Sequence, residues 1–144
     1  MPERYFARQI SIFSRDEPGR LASVARALES EGINMLAFSL AEASDFGIIR
    51  ALVDRPEEAH ERLCGMGFMV TYTDVIAVSM RDEPGGLSEI ATVLGDEGIN
   101  IDYAYAYSGK GGAVLVLRVS DTASAVRALR DSGKTLLERA YFER

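Results

Sequence analysis

Two loops of identical sequence carry the residues best suited to chemistry. Arg15-Asp16-Glu17-Pro18-Gly19 recurs as Arg81-Asp82-Glu83-Pro84-Gly85, and each loop leads into a segment of helical periodicity. The first amides of a helix have no partner within it, and the backbone dipoles leave partial positive charge at that end. A carboxylate seated there gains about 0.3–2 kcal/mol from the dipole. Gly19 and Gly85 present no Cβ to keep a ligand from the backbone. Asp16 and Asp82 place a carboxylate beside the same donors, where it can attract an ammonium group. Donors next to a carboxylate suit a small zwitterion. The competing account is structural: Asp16 caps the helix and Pro-Gly shapes the turn.

Asn34 and Asn100 follow the same helices, after Gly-Ile, at the start of the next strand. Each offers a donor and an acceptor to one ligand, or simply tolerates a turn conformation. Position 20 is Arg and its counterpart is Gly86. A guanidinium beside the first loop can take a carboxylate bidentately, or it is a solvated surface cation. Glu42 and Asp45 either bind a ligand ammonium or pair with Arg50, which interrupts an otherwise apolar strand.

The elements that must position these residues come from a duplication. Positions shift by 66 from Pro18 to Pro84, and the same shift carries Glu31-Gly32-Ile33-Asn34 onto Glu97-Gly98-Ile99-Asn100 without a gap. In each copy a β-branched stretch (Ile10, Ile12, Phe13; Val75, Ile76, Val78) reads as a strand. A stripe spaced as one helical face follows, Leu21, Val24, Ala25 and Leu28, then again Leu87, Ile90, Ala91 and Leu94. In the first copy, strands are expected at 34–43 and 46–53, a helix opening at Asp54-Arg55-Pro56 and ending near Gly67, and a last strand at 68–72. The second copy should repeat them, with its last helix near 122–132. The expected fold is therefore α+β: two tandem ferredoxin-like βαββαβ units, residues 1–73 and 74–144, packed side by side, with antiparallel sheets and both helices on one face. Only Thr73-Asp74 is left as linker.

The second strand of each copy has apolar residues on both faces. Met35, Ala37, Ser39 and Ala41 alternate with Leu36, Phe38 and Leu40, while Ile101, Tyr103, Tyr105 and Tyr107 share one face of the second copy. Since helices cover one face only, another sheet should cover the other, which favours a homodimer.

Composition excludes several classes. A net charge of -6 and pI near 4.8 leave no excess of Lys or Arg for nucleic acid or an anionic membrane. The single Cys64 permits no intrachain disulfide and fits a reducing cytoplasm, and no signal or membrane-spanning stretch is read. Ser108-Gly109-Lys110-Gly111-Gly112 lacks the spacing of a phosphate loop and reads as a glycine hairpin. The lone His60 makes no metal site with Cys64. No catalytic set and no cofactor signature is present. RNA-binding and acyl-phosphate-hydrolysing domains share the topology, but the stacking and basic residues of the first and the Arg-lined phosphate cradle of the second are missing.

An apolar strand, Asp-Glu-Pro-Gly-Arg-Leu, a Leu-x-x-Val-Ala-x-x-Leu stripe and Glu-Gly-Ile-Asn together resemble the ACT domain, and the tandem covers nearly the whole chain. It looks like a stand-alone pair, similar to the regulatory domains of acetolactate synthase, aspartokinase and phosphoglycerate dehydrogenase. The resemblance implies a non-catalytic amino-acid-binding regulatory protein, with ligand at the seam between paired domains. The matching positions are Asp16, Pro18, Gly19, Arg20, Leu21 and Asn34, with Asp82, Pro84, Gly85, Gly86, Leu87 and Asn100. A separate enzyme of amino-acid metabolism is the implied partner, reached either through ligand binding or mainly through protein contact.

Overall fold

The computed structural model describes residues 2–43, 45–109 and 111–143. Ser44 and Lys110, which the sequence assigns to the two β-connections, lie outside them. The chain divides into two compact units, one of residues 8–73 with 142–144, the other of 74–141 with 1–7.

In the first unit, β1 (Ala7–Arg15), α1 (Arg20–Ser30), β2 (Met35–Ala43), β3 (Phe46–Val53) and α2 (Pro56–Gly65) precede β4 (Met69–Met80). The strands run antiparallel in the order β2-β3-β1, with Ile10 opposite Ala51 and Ser39 opposite Arg50. Alternation along β1 and β3 sends Ile10, Ile12, Ile49, Ala51 and Val53 to one face. There they meet Val24 and Leu28 of α1 and Ala59 and Leu63 of α2 in one apolar core.

The second unit repeats the plan. The later part of β4, then α3 (Gly86–Asp96), β5 (Ile101–Gly109), β6 (Gly112–Val119) and α4 (Thr122–Asp131) build it, with strand order β4-β6-β5. Ile76, Val78, Leu115, Leu117 and Val119 face Ile90 and Leu94 of α3 and Leu129 of α4. A single bridge from Val78 to Leu136 stands where the fourth strand belongs. The duplicated ferredoxin-like α+β fold is thus present in both halves.

Four details refine or depart from the sequence reading. First, β4 runs unbroken through Thr73-Asp74, so the expected linker is interior to a strand. Second, α2 ends at Gly65, with Met66 and Gly67 closing it through bonds to Leu63 and Cys64. Third, β2 and β5 each carry a register shift, after Met35 and after Ile101. The extra residue turns Met35 away from Ala37, and Ile101 away from the Tyr103–Tyr105–Tyr107 face onto the core side opposite Val119. Fourth, Leu87 is 56% exposed although it lies in the apolar stripe.

Phe38 and Leu40 stand opposite Ala51 and Ile49 on the helix side of β2, yet remain 51% and 43% exposed at this edge strand. Their counterparts in β5 are Ala104 and Ala106. Tyr5, in a short 3-10 turn over Pro2–Tyr5, is buried in the core of the second unit.

Candidate functional site

Four helices begin under three different local conditions. At α4, the Asp121 carboxylate accepts the Ser124 N–H at 3.0 Å and the Ser124 hydroxyl at 2.7 Å, so the chain itself closes that end. These bonds hold the Asp121 carboxyl below its ordinary range, the backbone bond contributing most. At α2, Pro56 occupies the first turn beside Glu57 and Glu58. At α1 and α3 the N-cap residues are Gly19 (φ 90°) and Gly85 (φ 93°), and no described side chain caps either helix. The left-handed backbone explains glycine at both positions. Asp16 is therefore not a helix cap.

At α3 the Gly86 N–H donates to the Glu83 carbonyl and the Glu89 N–H to the Gly85 carbonyl. The Leu87 and Ser88 amides between them are the orphan donors of this start. The chain turns tightly here: a Cβ on Gly86 would overlap the Arg81 carbonyl, so only glycine fits. Beside the turn lies a cavity of about 440 Å³, lined by Ser79, Met80, Arg81, Asp82, Gly86, Glu89 and Ile90, and by Gly111–Ala113 and Gly133–Thr135.

Two cations and two carboxylates surround this space. Arg81 pairs with both Glu83 and Glu89, and Lys134 Nζ lies 2.8 Å from Glu89 Oε2. Hydrogen bonds from Lys134 first, then Arg81, hold the Glu89 carboxyl below its ordinary range. Arg81, Asp82, Glu89 and Lys134 sum to no net charge, an environment matched to a ligand that carries both signs. None of Arg81, Glu89 and Lys134 stood among the sequence-derived site residues. For Glu89 and Lys134 the signal was present as paired departures from the repeat: Glu89 replaces Ser23, and Lys134 replaces Phe68.

The first loop is arranged differently. Arg20 Nη1 lies 2.9 Å from Asp16 Oδ1, and the Arg20 side chain is only 11% exposed. It is neither a solvated cation nor open to a ligand carboxylate. A Cβ on the buried Gly47 would overlap its guanidinium, so the group lies close against bare backbone.

The remaining candidates divide by location. Arg15 pairs with Phe46, which brings the Asp16–Arg20 loop to the same end of the sheet as Glu42 and Asp45, both exposed. Glu42 faces Gly47 and Arg50 faces Ser39, so strand alternation points Glu42 and Arg50 to opposite faces and they do not pair with each other. Asn34 and Asn100 lie beyond the far ends of α1 and α3, 11 residues each, or about 16 Å at 1.5 Å per residue. The Asn34 backbone N–H donates to Asp54 Oδ1, and the Asn100 side-chain Nδ2 donates to Asp102 Oδ1. Within a unit they do not join the glycine loop. Pro18 and Pro84 are exposed, and Leu21 packs against the first core.

Among the described residues no group of three or more His, Cys, Asp or Glu can hold a metal ion. No helix among them is long and apolar enough to cross a membrane.

Comparison with known proteins bears on the whole chain. The family model of the ACT domain pair matches residues 6–134. A protein of Bacteroides thetaiotaomicron has a crystal structure similar to this one, with 34% identity, a TM-score of 0.88 and 94% of each chain covered. The ligand-free regulatory subunit of aspartate kinase from Thermus thermophilus superimposes with a TM-score of 0.66 at 19% identity, over 92% of this chain and 95% of that one. Aspartokinase III of E. coli, solved with lysine and aspartate, gives a TM-score of 0.53 at 16% identity, over 88% of this chain and 31% of that one. No curated protein matches the chain in sequence.

Proposed function

The chain belongs to the ACT-domain family as an ACT domain pair, and from that premise we propose that it is a non-catalytic cytoplasmic sensor of a small amino acid. The ligand is held in the cavity of the second unit. Its carboxylate lies beside the first turn of α3 at Gly86 and accepts from the Lys134 ammonium, and its ammonium meets Asp82. The output is control of a separate enzyme of amino-acid metabolism.

One observation carries this reading: Gly86 and Glu89, in the first turn of a helix with no side-chain cap, line a cavity of about 440 Å³ with balanced charge. That volume falls within the roughly 300–1,000 Å³ usual for small-molecule sites. The opposite arrangement at α4, sealed by Asp121, marks the difference between a helix end that serves the fold and one that can serve a ligand. A second copy of the chain is the proposed partner of the exposed Phe38 and Leu40 edge.

The test is a thermal-shift panel of the common amino acids, lysine and aspartate first because the aspartokinase III structure contains them. A ligand that binds only the native state raises Tm, by about 2.7 kcal/mol of stabilisation at one hundred times Kd. A sensor of metabolite level should respond between roughly 1 μM and 1 mM. No rise with any amino acid, together with capture of an enzyme by the chain alone, would replace the sensor reading with regulation by protein contact.

A further inference from the structure

We propose that Arg20 is a tethered occupant of the first loop, so that each chain takes one amino acid, through its second repeat alone. This rests on the sensor reading above.

The argument compares equivalent positions. Asp16, Arg20 and Gly47 of the first repeat correspond to Asp82, Gly86 and Ala113 of the second. In the second repeat all three line the open cavity. In the first, the Arg20 guanidinium lies in the corresponding space, with Nη1 2.9 Å from Asp16 Oδ1 and 3.5 Å from the Arg15 carbonyl oxygen. The floor beneath it is Gly47, where the single methyl of the equivalent Ala113 would overlap the guanidinium. Occupant and seat therefore differ together. One repeat has a long cation over bare backbone, and the other has no side chain above an ordinary alanine.

The guanidinium also has the charge the proposed site would recognise. It meets Asp16 as a ligand ammonium is proposed to meet Asp82. An incoming ammonium must displace a cation held by its own chain at an effective concentration of about millimolar or more. Gly86 removes that competitor from the second repeat. The duplication has kept two loops and left one of them open.

The experiment compares the wild-type chain with Arg20→Gly, using two probes. The amino acid that raises the wild-type Tm most is titrated calorimetrically. Methylguanidinium at about 5 mM, within the millimolar range of weak binding, is followed through backbone amide shifts. The expected result is one equivalent of amino acid per wild-type chain and two per Arg20→Gly chain. Methylguanidinium should shift the Asp16, Gly19 and Gly47 amides in the variant, at least tenfold more than in the wild type. Gly47→Ala, which expels the guanidinium without shortening residue 20, is the second variant should Arg20→Gly fold poorly. Its Arg20 side-chain resonance should become mobile. Two equivalents in the wild type, or no methylguanidinium response in either variant, would overturn the proposal. If no amino acid binds the wild type, the sensor reading fails, and the methylguanidinium arm still decides whether Arg20 fills a cation seat.

Discussion

Lys134 Nζ lies 2.8 Å from Glu89 Oε2, joining the residue just past α4 to the first turns of α3 across 45 positions of sequence. Together with Arg81, this contact gives the open cavity its charged wall.

The pair makes an acid-sensitive contribution to stability. Glu89 is held below its ordinary value of 4.5, mainly by the Lys134 hydrogen bond. A carboxyl depressed in the folded state stabilises the fold above its unfolded value, and that stabilisation drains as pH falls through the folded value. Wild type should therefore be more stable than Glu89→Gln at neutral pH, with the gap closing as the solution is acidified below about 4.5. Unfolding midpoints of the two chains across that range measure it. A gap that stays constant would show that Glu89 acts through packing.

Replacing Lys134 by Met removes one cation from the wall while retaining most of the stem. Loss of a charge-assisted hydrogen bond of about 1.5–3 kcal/mol predicts amino-acid binding weaker by about 10- to 100-fold. Far-ultraviolet circular dichroism should not change.

Gly85, at the N-cap of α3, and Gly95, within it, should respond in opposite senses. Gly85 has φ 93°, so Gly85→Ala places a side chain in the left-handed region at a cost of about 1–2 kcal/mol. Gly95 lies inside the helix with open space around it, so Gly95→Ala should gain about 0.5–1 kcal/mol. Denaturant midpoints of both variants provide the check.

The repeat, the helical stripes and the glycine loops were legible in the chain itself. Val24, Leu28, Ile90 and Leu94 are buried where the periodicity puts them, because one helical face must meet the sheet. The bulges after Met35 and Ile101 were not legible, since period-2 counting has no term for an extra residue. Nor was the orientation of Arg20. Side-chain type says that a guanidinium can bind a carboxylate, and only the fold shows that the carboxylate is Asp16 of its own loop. Lys134 escaped notice because proximity across 45 residues comes from topology, though its departure from Phe68 was visible.

The cores should be sensitive to cavities. Leu94 is fully buried, and Leu94→Ala should destabilise the chain by about 2–5 kcal/mol, read from its melting transition.

Self-association through the β2 edge should depend on Phe38. Phe38→Asp puts a charge on an exposed apolar strand, so the proposed dimer should dissociate and the variant should sediment as a monomer. A wild-type chain that sediments as a monomer at micromolar concentration would remove this role for the edge.

Tyr5 packs into the core of the unit whose other residues begin at Asp74, while the last residues of the chain group with the first unit. Each half therefore depends on a terminal piece lying at the far end of the polypeptide. Deleting a few leading residues would loosen the C-terminal half first, and a gene cut at the midpoint would yield two fragments that each lack a part still attached to the other.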